Sequence, residues 1–90
     1  MKKRPFEETW INRAQSIRKF LRDVEDEELK WHIDKEDRTI ECNTETDWQI
    51  QIDNKLPQPI KGKIFIQSDT WHRLLRGTGD LELVITRLTR

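Results

Sequence analysis

The chain has 90 residues, 17 basic against 17 acidic, so it makes one small domain without the net field that gathers nucleic acid or an anionic membrane. Its single cysteine excludes an internal disulfide and a CxxC or zinc-ribbon site, and no run approaches the roughly 18 apolar residues of a membrane span. A reducing cytoplasm is the expected location, and four Trp with three Phe predict a small aromatic core.

At the N-terminus, Pro5 suits a first helical turn, Glu7 and Glu8 suit the positive end of a helix dipole, and Arg18, Lys19 and Arg22 suit the negative end. Trp10, Ala14, Ile17, Leu21 and Val24 advance by steps of four and three, which predicts an α-helix over Phe6 to Val24 with one apolar stripe. The acidic DVEDEE ends that period. Residues 1–28 therefore read as helix and acidic linker, and residues 29–90 as an antiparallel β-domain, within one domain. MKKR with Arg13, Arg18, Lys19 and Arg22 makes a local basic bias, which DVEDEE cancels, so nucleic acid is not an expected partner. The wide stripe on so short a chain predicts a homodimer that completes the core.

From Leu29 the apolar period changes to two. Leu29, Trp31 and Ile33 alternate with polar residues, and Arg38 to Cys42 returns as a hairpin partner. Trp48, Ile50 and Ile52 mark a third strand, LPQPIKG an extended edge segment, and Lys63–Gln67 a fourth strand. Trp71 to Arg76 and Leu81 to Leu88 read as a terminal hairpin around Gly77-Thr78-Gly79-Asp80, with the glycines free to take positive φ. The fold class expected is mainly β: an N-terminal α-helix followed by about six antiparallel strands forming a small barrel or sandwich.

Gly62, Gln67, Asp69 and His72 stand at the spacing of glycine, proline, glycine and histidine in the second cupin motif, so Gly62 to Ile85 resembles the C-terminal half of a cupin, a small jelly-roll barrel. The wider arrangement, WHIDKEDR, then DWQIQIDNKLP, then WHRLLRGTGDL, resembles short uncharacterised proteins of marine tailed phages, over most of the chain from Leu29. That second likeness implies no activity. A metal-binding cupin carries an HxH pair in its first motif. This chain has none, leaving His32, Glu41, Cys42 and Glu45 as the groups in that region.

Two histidines and a carboxylate can hold a divalent metal on an open face when their side chains converge, and His32 and His72 are the only histidines. By alternation His32 points away from Trp31, to solvent or the less apolar side, while His72 shares a face with Leu74. The same region supplies a metal-free alternative: His72, His32, Arg73 and Arg76 with Trp31 and Trp48 as walls, binding a small anionic ligand through arginine forks. Against this, at least two of Trp31, Trp48 and Trp71 are expected to be plain core. Cys42 reads as a small buried residue, because Glu41 and Glu45 disfavour a thiolate beside them. GTGD lies between strands and is a turn, not a phosphate loop.

The expectation is a small cupin-like binding or interaction module without catalysis or an obligatory cofactor. The alternatives are a metal-dependent cupin enzyme acting on a small molecule, and a modulator of a host or phage macromolecule acting through the helix.

Overall fold

The computed structural model describes residues 6–23 and 29–88, which form eight strands in two antiparallel sheets. Strands β1 (Phe6–Trp10), β2 (Gln15–Phe20), β3 (Asp37–Cys42), β6 (Gly62–Ile66) and β8 (Leu81–Leu88) make one sheet in the order β1-β2-β8-β3-β6. Strands β4 (Gln49–Ile52), β5 (Gln58–Pro59) and β7 (His72–Leu75) make the second, ordered β5-β4-β7. Phe20, Ile40, Leu81, Leu83 and Ile85 of the first sheet bury against Ile50 and Leu74 of the second and against Trp48, which precedes β4, so the domain is a small sandwich.

The expected N-terminal helix is not formed. No α-helix occurs among the described residues, and the same stretch is the β1–β2 hairpin, with Phe6 opposite Phe20, Glu8 opposite Arg18 and Trp10 opposite Ser16. Asn12 makes the turn: its Oδ1 accepts hydrogen bonds from the backbone N–H groups of Ala14 at 2.8 Å and Gln15 at 2.9 Å. The period of two was hidden because the inward residues of β2 are Ser16, Arg18 and Phe20, two of them polar, whereas Trp10 and Leu21 of the apparent stripe are exposed. The amphipathic helix behind the dimer expectation is thus absent here. Pro5, Val24 and most of the acidic stretch lie outside the described residues.

Polar residues can line that interior because they satisfy one another. Glu8 Oε2 accepts from Ser16 Oγ at 2.7 Å, from Arg18 Nη2 at 3.0 Å and from Arg87 Nη2 at 3.2 Å. The guanidinium of Arg18 lies 3.9 Å from the Phe6 ring centroid, and that of Arg87 lies 4.4 Å from Trp10. Burial pushes the Glu8 carboxyl up, but its bonds to Ser16, Arg18 and Arg87 outweigh this and hold it below the usual glutamate range.

The expected 29–34/38–42 hairpin and the 71–76/81–88 hairpin are both replaced by longer-range pairings. Strand β3 pairs β6 and β8, and the 29–34 stretch contributes only an isolated bridge, His32 to His72. Strand β7 pairs β4 in one sheet while β8 pairs β2 and β3 in the other, so Arg76–Asp80 crosses between layers. Gly77 is required by closeness, not by positive φ: a Cβ there would run into the Asp47 carboxylate and lie 2.7 Å from the Trp48 backbone nitrogen. Trp48 Nε1 then donates to the Gly79 carbonyl at 2.6 Å, which fixes the crossover onto the core. Among the described residues no helix is long and apolar enough to cross a membrane.

Candidate functional site

The sequence contains the dipeptide Trp-His twice, at residues 31–32 and 71–72. The structure sets the two copies side by side. His32 N–H donates to the His72 carbonyl and His72 N–H to the His32 carbonyl, each at 3.0 Å. An antiparallel pair that exchanges both bonds puts its two side chains on one face, with their neighbours on the other. Here the histidines face inward, with ring centroids 4.3 Å apart, and Trp31 and Trp71 face outward.

Asp34 lies two residues beyond His32, hence on the same face, and its carbonyl is held by the Asp69 N–H at 2.8 Å. One ligand atom each from His32, Asp34 and His72 lies within 4.8 Å of the others. Asp34 Oδ2 is 3.1 Å from His72 Nε2, and Oδ1 is 3.5 Å from Arg38 Nη2. Arg38 is anchored in turn by Glu36 at 2.7 Å. Burial raises the Asp34 carboxyl, while the Arg38 guanidinium and, when the imidazoles are protonated, the His72 hydrogen bond and the charges of both rings more than offset it and hold Asp34 below the usual aspartate range.

The tautomers follow from the carbonyls. Nδ1 of His32 meets the Lys30 carbonyl at 2.8 Å, and Nδ1 of His72 meets the Thr70 carbonyl at 2.8 Å. A carbonyl only accepts, so both Nδ1 atoms carry hydrogen, and in the neutral rings both Nε2 atoms carry the lone pair. His72 Nε2 therefore presents a lone pair to a carboxylate oxygen 3.1 Å away, a repulsive arrangement unless a proton or a metal cation lies between them.

A cavity of about 30 Å³ adjoins the pair, lined by Arg18, Arg38, Asp34 and His72 and by core side chains including Phe20, Ile50 and Leu83. Its volume matches about one water molecule. A wider groove of about 760 Å³ lies among the loops of residues 42–47, 59–62 and 78–80. None of His32, His72, Arg73, Arg76, Trp31 and Trp48 lines that groove, and its Asp47 is engaged by the Thr78 hydroxyl at 2.7 Å.

Of the expected residues, His32 and His72 converge, and of the two orientations expected for His32, solvent or the less apolar side, it takes the second, beside His72 and Asp34. Arg73 is on the opposite face of β7 from His72, its guanidinium 4.8 Å from the Trp31 ring centroid and its Nε donating to Gln51 Oε1 at 3.0 Å. Arg76 is exposed, beyond the end of β7. Trp48 is core at 1% exposure, whereas Trp31 and Trp71 are 40% and 54% exposed, so one of the three tryptophans is core and not two. Sequence reasoning missed Asp34. The available signal was the His-x-Asp spacing of His32 and Asp34, which alternation places on one face.

No protein-family model matches the chain, and no curated protein matches it. A solved structure does: the crystal structure of protein NMB1881 from Neisseria meningitidis, at TM-score 0.61 and 16% identity, over 99% of this chain and 89% of that one. The chain shares that protein's fold. At this identity the likeness extends to the small antiparallel β architecture alone.

Proposed function

We infer that the protein is a small cupin-like binding module that holds a divalent transition-metal ion on His32, Asp34 and His72. The observation that carries this reading is the convergence of the three donors, with each imidazole's Nδ1–H already tied to a backbone carbonyl. Metal-ligating histidines almost always have their second nitrogen committed in this way, because the bond fixes both tautomer and ring orientation. Two ligands each about 2.1 Å from a metal, at tetrahedral or octahedral angles, stand about 3.0–3.4 Å apart, and His72 Nε2 and Asp34 Oδ2 stand at 3.1 Å. Arg38 on the second carboxylate oxygen would orient Asp34 as a one-oxygen ligand.

Two histidines and one carboxylate leave coordination positions open, as in non-haem iron and many zinc sites. The adjoining space has the size of one water, which favours a bound metal with a water ligand over an enzyme turning over an organic substrate.

The test is isothermal titration of chelator-stripped protein with Zn²⁺, paired with the visible spectrum of the Co²⁺ form. One ion per chain and a d–d spectrum typical of nitrogen and oxygen ligands are expected, and His32→Ala, on the more open of the two imidazoles, abolishes both. Folded wild-type protein that takes up neither ion would sink the reading and leave Asp34–His72 as a protonated structural ion pair.

A further inference from the structure

The outer face of the β4–β7 sheet carries a second arrangement, independent of the metal reading. Because His32 and His72 are paired, Trp31 stands opposite Arg73 and diagonally across from Trp71, while Asp53 N–H donates to the Trp71 carbonyl at 2.7 Å. Trp31, Trp71, Asp53 and Asn54 line a cleft of about 280 Å³. This is just below the usual range of about 300–1,000 Å³ for small-molecule pockets.

The rim is braced. Asp53 has φ of 52°, in the left-handed region that aspartate tolerates better than most residues, and Lys55 N–H closes the turn onto the Ile52 carbonyl at 3.1 Å. Gln51 accepts from Arg73 at 3.0 Å through Oε1 and donates from Nε2 to the Lys55 carbonyl at 3.2 Å. Strands and turn therefore fix the backbone that carries the two exposed indoles and the two short polar residues, and Arg73 holds the Trp31 ring, which reduces the ordering entropy lost on binding.

We propose that this cleft binds a single sugar ring of a carbohydrate. A pyranose presents an apolar C–H face and a rim of hydroxyls. Trp31 and Trp71 supply flat apolar surfaces for the first, the Asp53 carboxylate accepts from hydroxyls, and the Asn54 amide both donates and accepts. An ammonium ligand is disfavoured, since the Arg73 guanidinium already lies against Trp31 and would repel it. The cleft's size suits one ring, not a protein side.

The experiment is an NMR titration of the full chain with the methyl glycosides of glucose, galactose, mannose and N-acetylglucosamine and with their β-1,4-linked disaccharides, following the indole N–H signals. The Trp31 and Trp71 signals move saturably at millimolar sugar while that of Trp48 stays. Trp71→Ala weakens binding by about tenfold and Trp71→Phe by less, both being exposed substitutions away from the core. Trp10→Ala, at a comparably exposed indole on the other sheet, leaves the affinity unchanged. The proposal is overturned by no saturable shift with any of these sugars, by an equal effect of Trp10→Ala, or by tetramethylammonium moving the two signals in their place. It is also overturned if sedimentation shows a second copy covering both indoles.

Discussion

His72 Nε2 and Asp34 Oδ2 lie 3.1 Å apart with His72 Nδ1 already donating to a backbone carbonyl, so this one contact demands a positive charge between an imidazole lone pair and a carboxylate. Either a proton or a metal ion satisfies it. The two cases differ in what the site loses when Asp34 changes.

Asp34→Asn keeps the side chain's shape and removes its charge. Metal-free, it is expected to lower stability by about 1–3 kcal/mol, because His72 and Arg38 lose an ionic acceptor in a largely buried setting. With saturating Zn²⁺ the gap to wild type widens, since wild type alone gains binding free energy, about 2.7 kcal/mol at a hundredfold excess over Kd. Urea denaturation with and without Zn²⁺ reads both. A gap that does not widen argues for the proton.

Glu8 is the single carboxylate shared by Arg18, Arg87 and Ser16, and the side chains of Glu8 and Arg18 are 10% and 8% exposed. Glu8→Gln removes the carboxylate that Arg18 and Arg87 share, leaving Arg87 the longer contact to Glu36 at 3.8 Å, and a loss of about 1.5–3 kcal/mol is expected. A loss below about 1 kcal/mol in chemical denaturation would show that solvent screens the cluster.

The same residue makes stability depend on acid. The folded pKa of Glu8 is depressed, so its contribution is fully present above the ordinary glutamate pKa of about 4.3 and is lost as pH falls through the lower folded value. Thermal melts of wild type between neutral pH and the acid limb should fall more steeply than those of Glu8→Gln. Parallel curves would contradict the assignment.

Gly77 and Gly79 lie two residues apart in one crossover and make a paired test. Gly77→Ala forces a methyl group against the Asp47 carboxylate and the Trp48 backbone, and should cost about 1–3 kcal/mol. Gly79→Ala meets nothing within 4 Å and should stay within about 0.5 kcal/mol of wild type. Equal effects would mean that the crossover is packed differently.

Asn12→Ala removes the acceptor that closes the β1–β2 turn on Ala14 and Gln15, and about 1 kcal/mol is expected from a capping-type bond of this kind. Hydrogen exchange should quicken first at Gln15, whose N–H that side chain holds. Unchanged exchange there would argue that the strand pairing alone holds the hairpin.

Strands β3, β4 and β8 were legible because alternate residues there are buried: Ile40 and Cys42, Trp48 and Ile50, and Leu81, Leu83 and Ile85 all mark an inward face. The N-terminal hairpin was not legible. Its inward side is held by Glu8 bridging Ser16, Arg18 and Arg87, and a long-range ion cluster leaves no period in the local sequence. Exposed Trp10 and Leu21 completed the false helical stripe.

The sequence by itself determined a mainly β chain, the singular status of His32 and His72, and the opposite facing of each histidine and the tryptophan before it, because alternation is a property of one strand. Only the tertiary structure decided that residues 32 and 72 are paired, that Asp34 joins them, and that Arg73 belongs to the outer face. Those relations depend on which strands meet across dozens of residues, and that is set by how two apolar faces find each other, which local pattern does not encode.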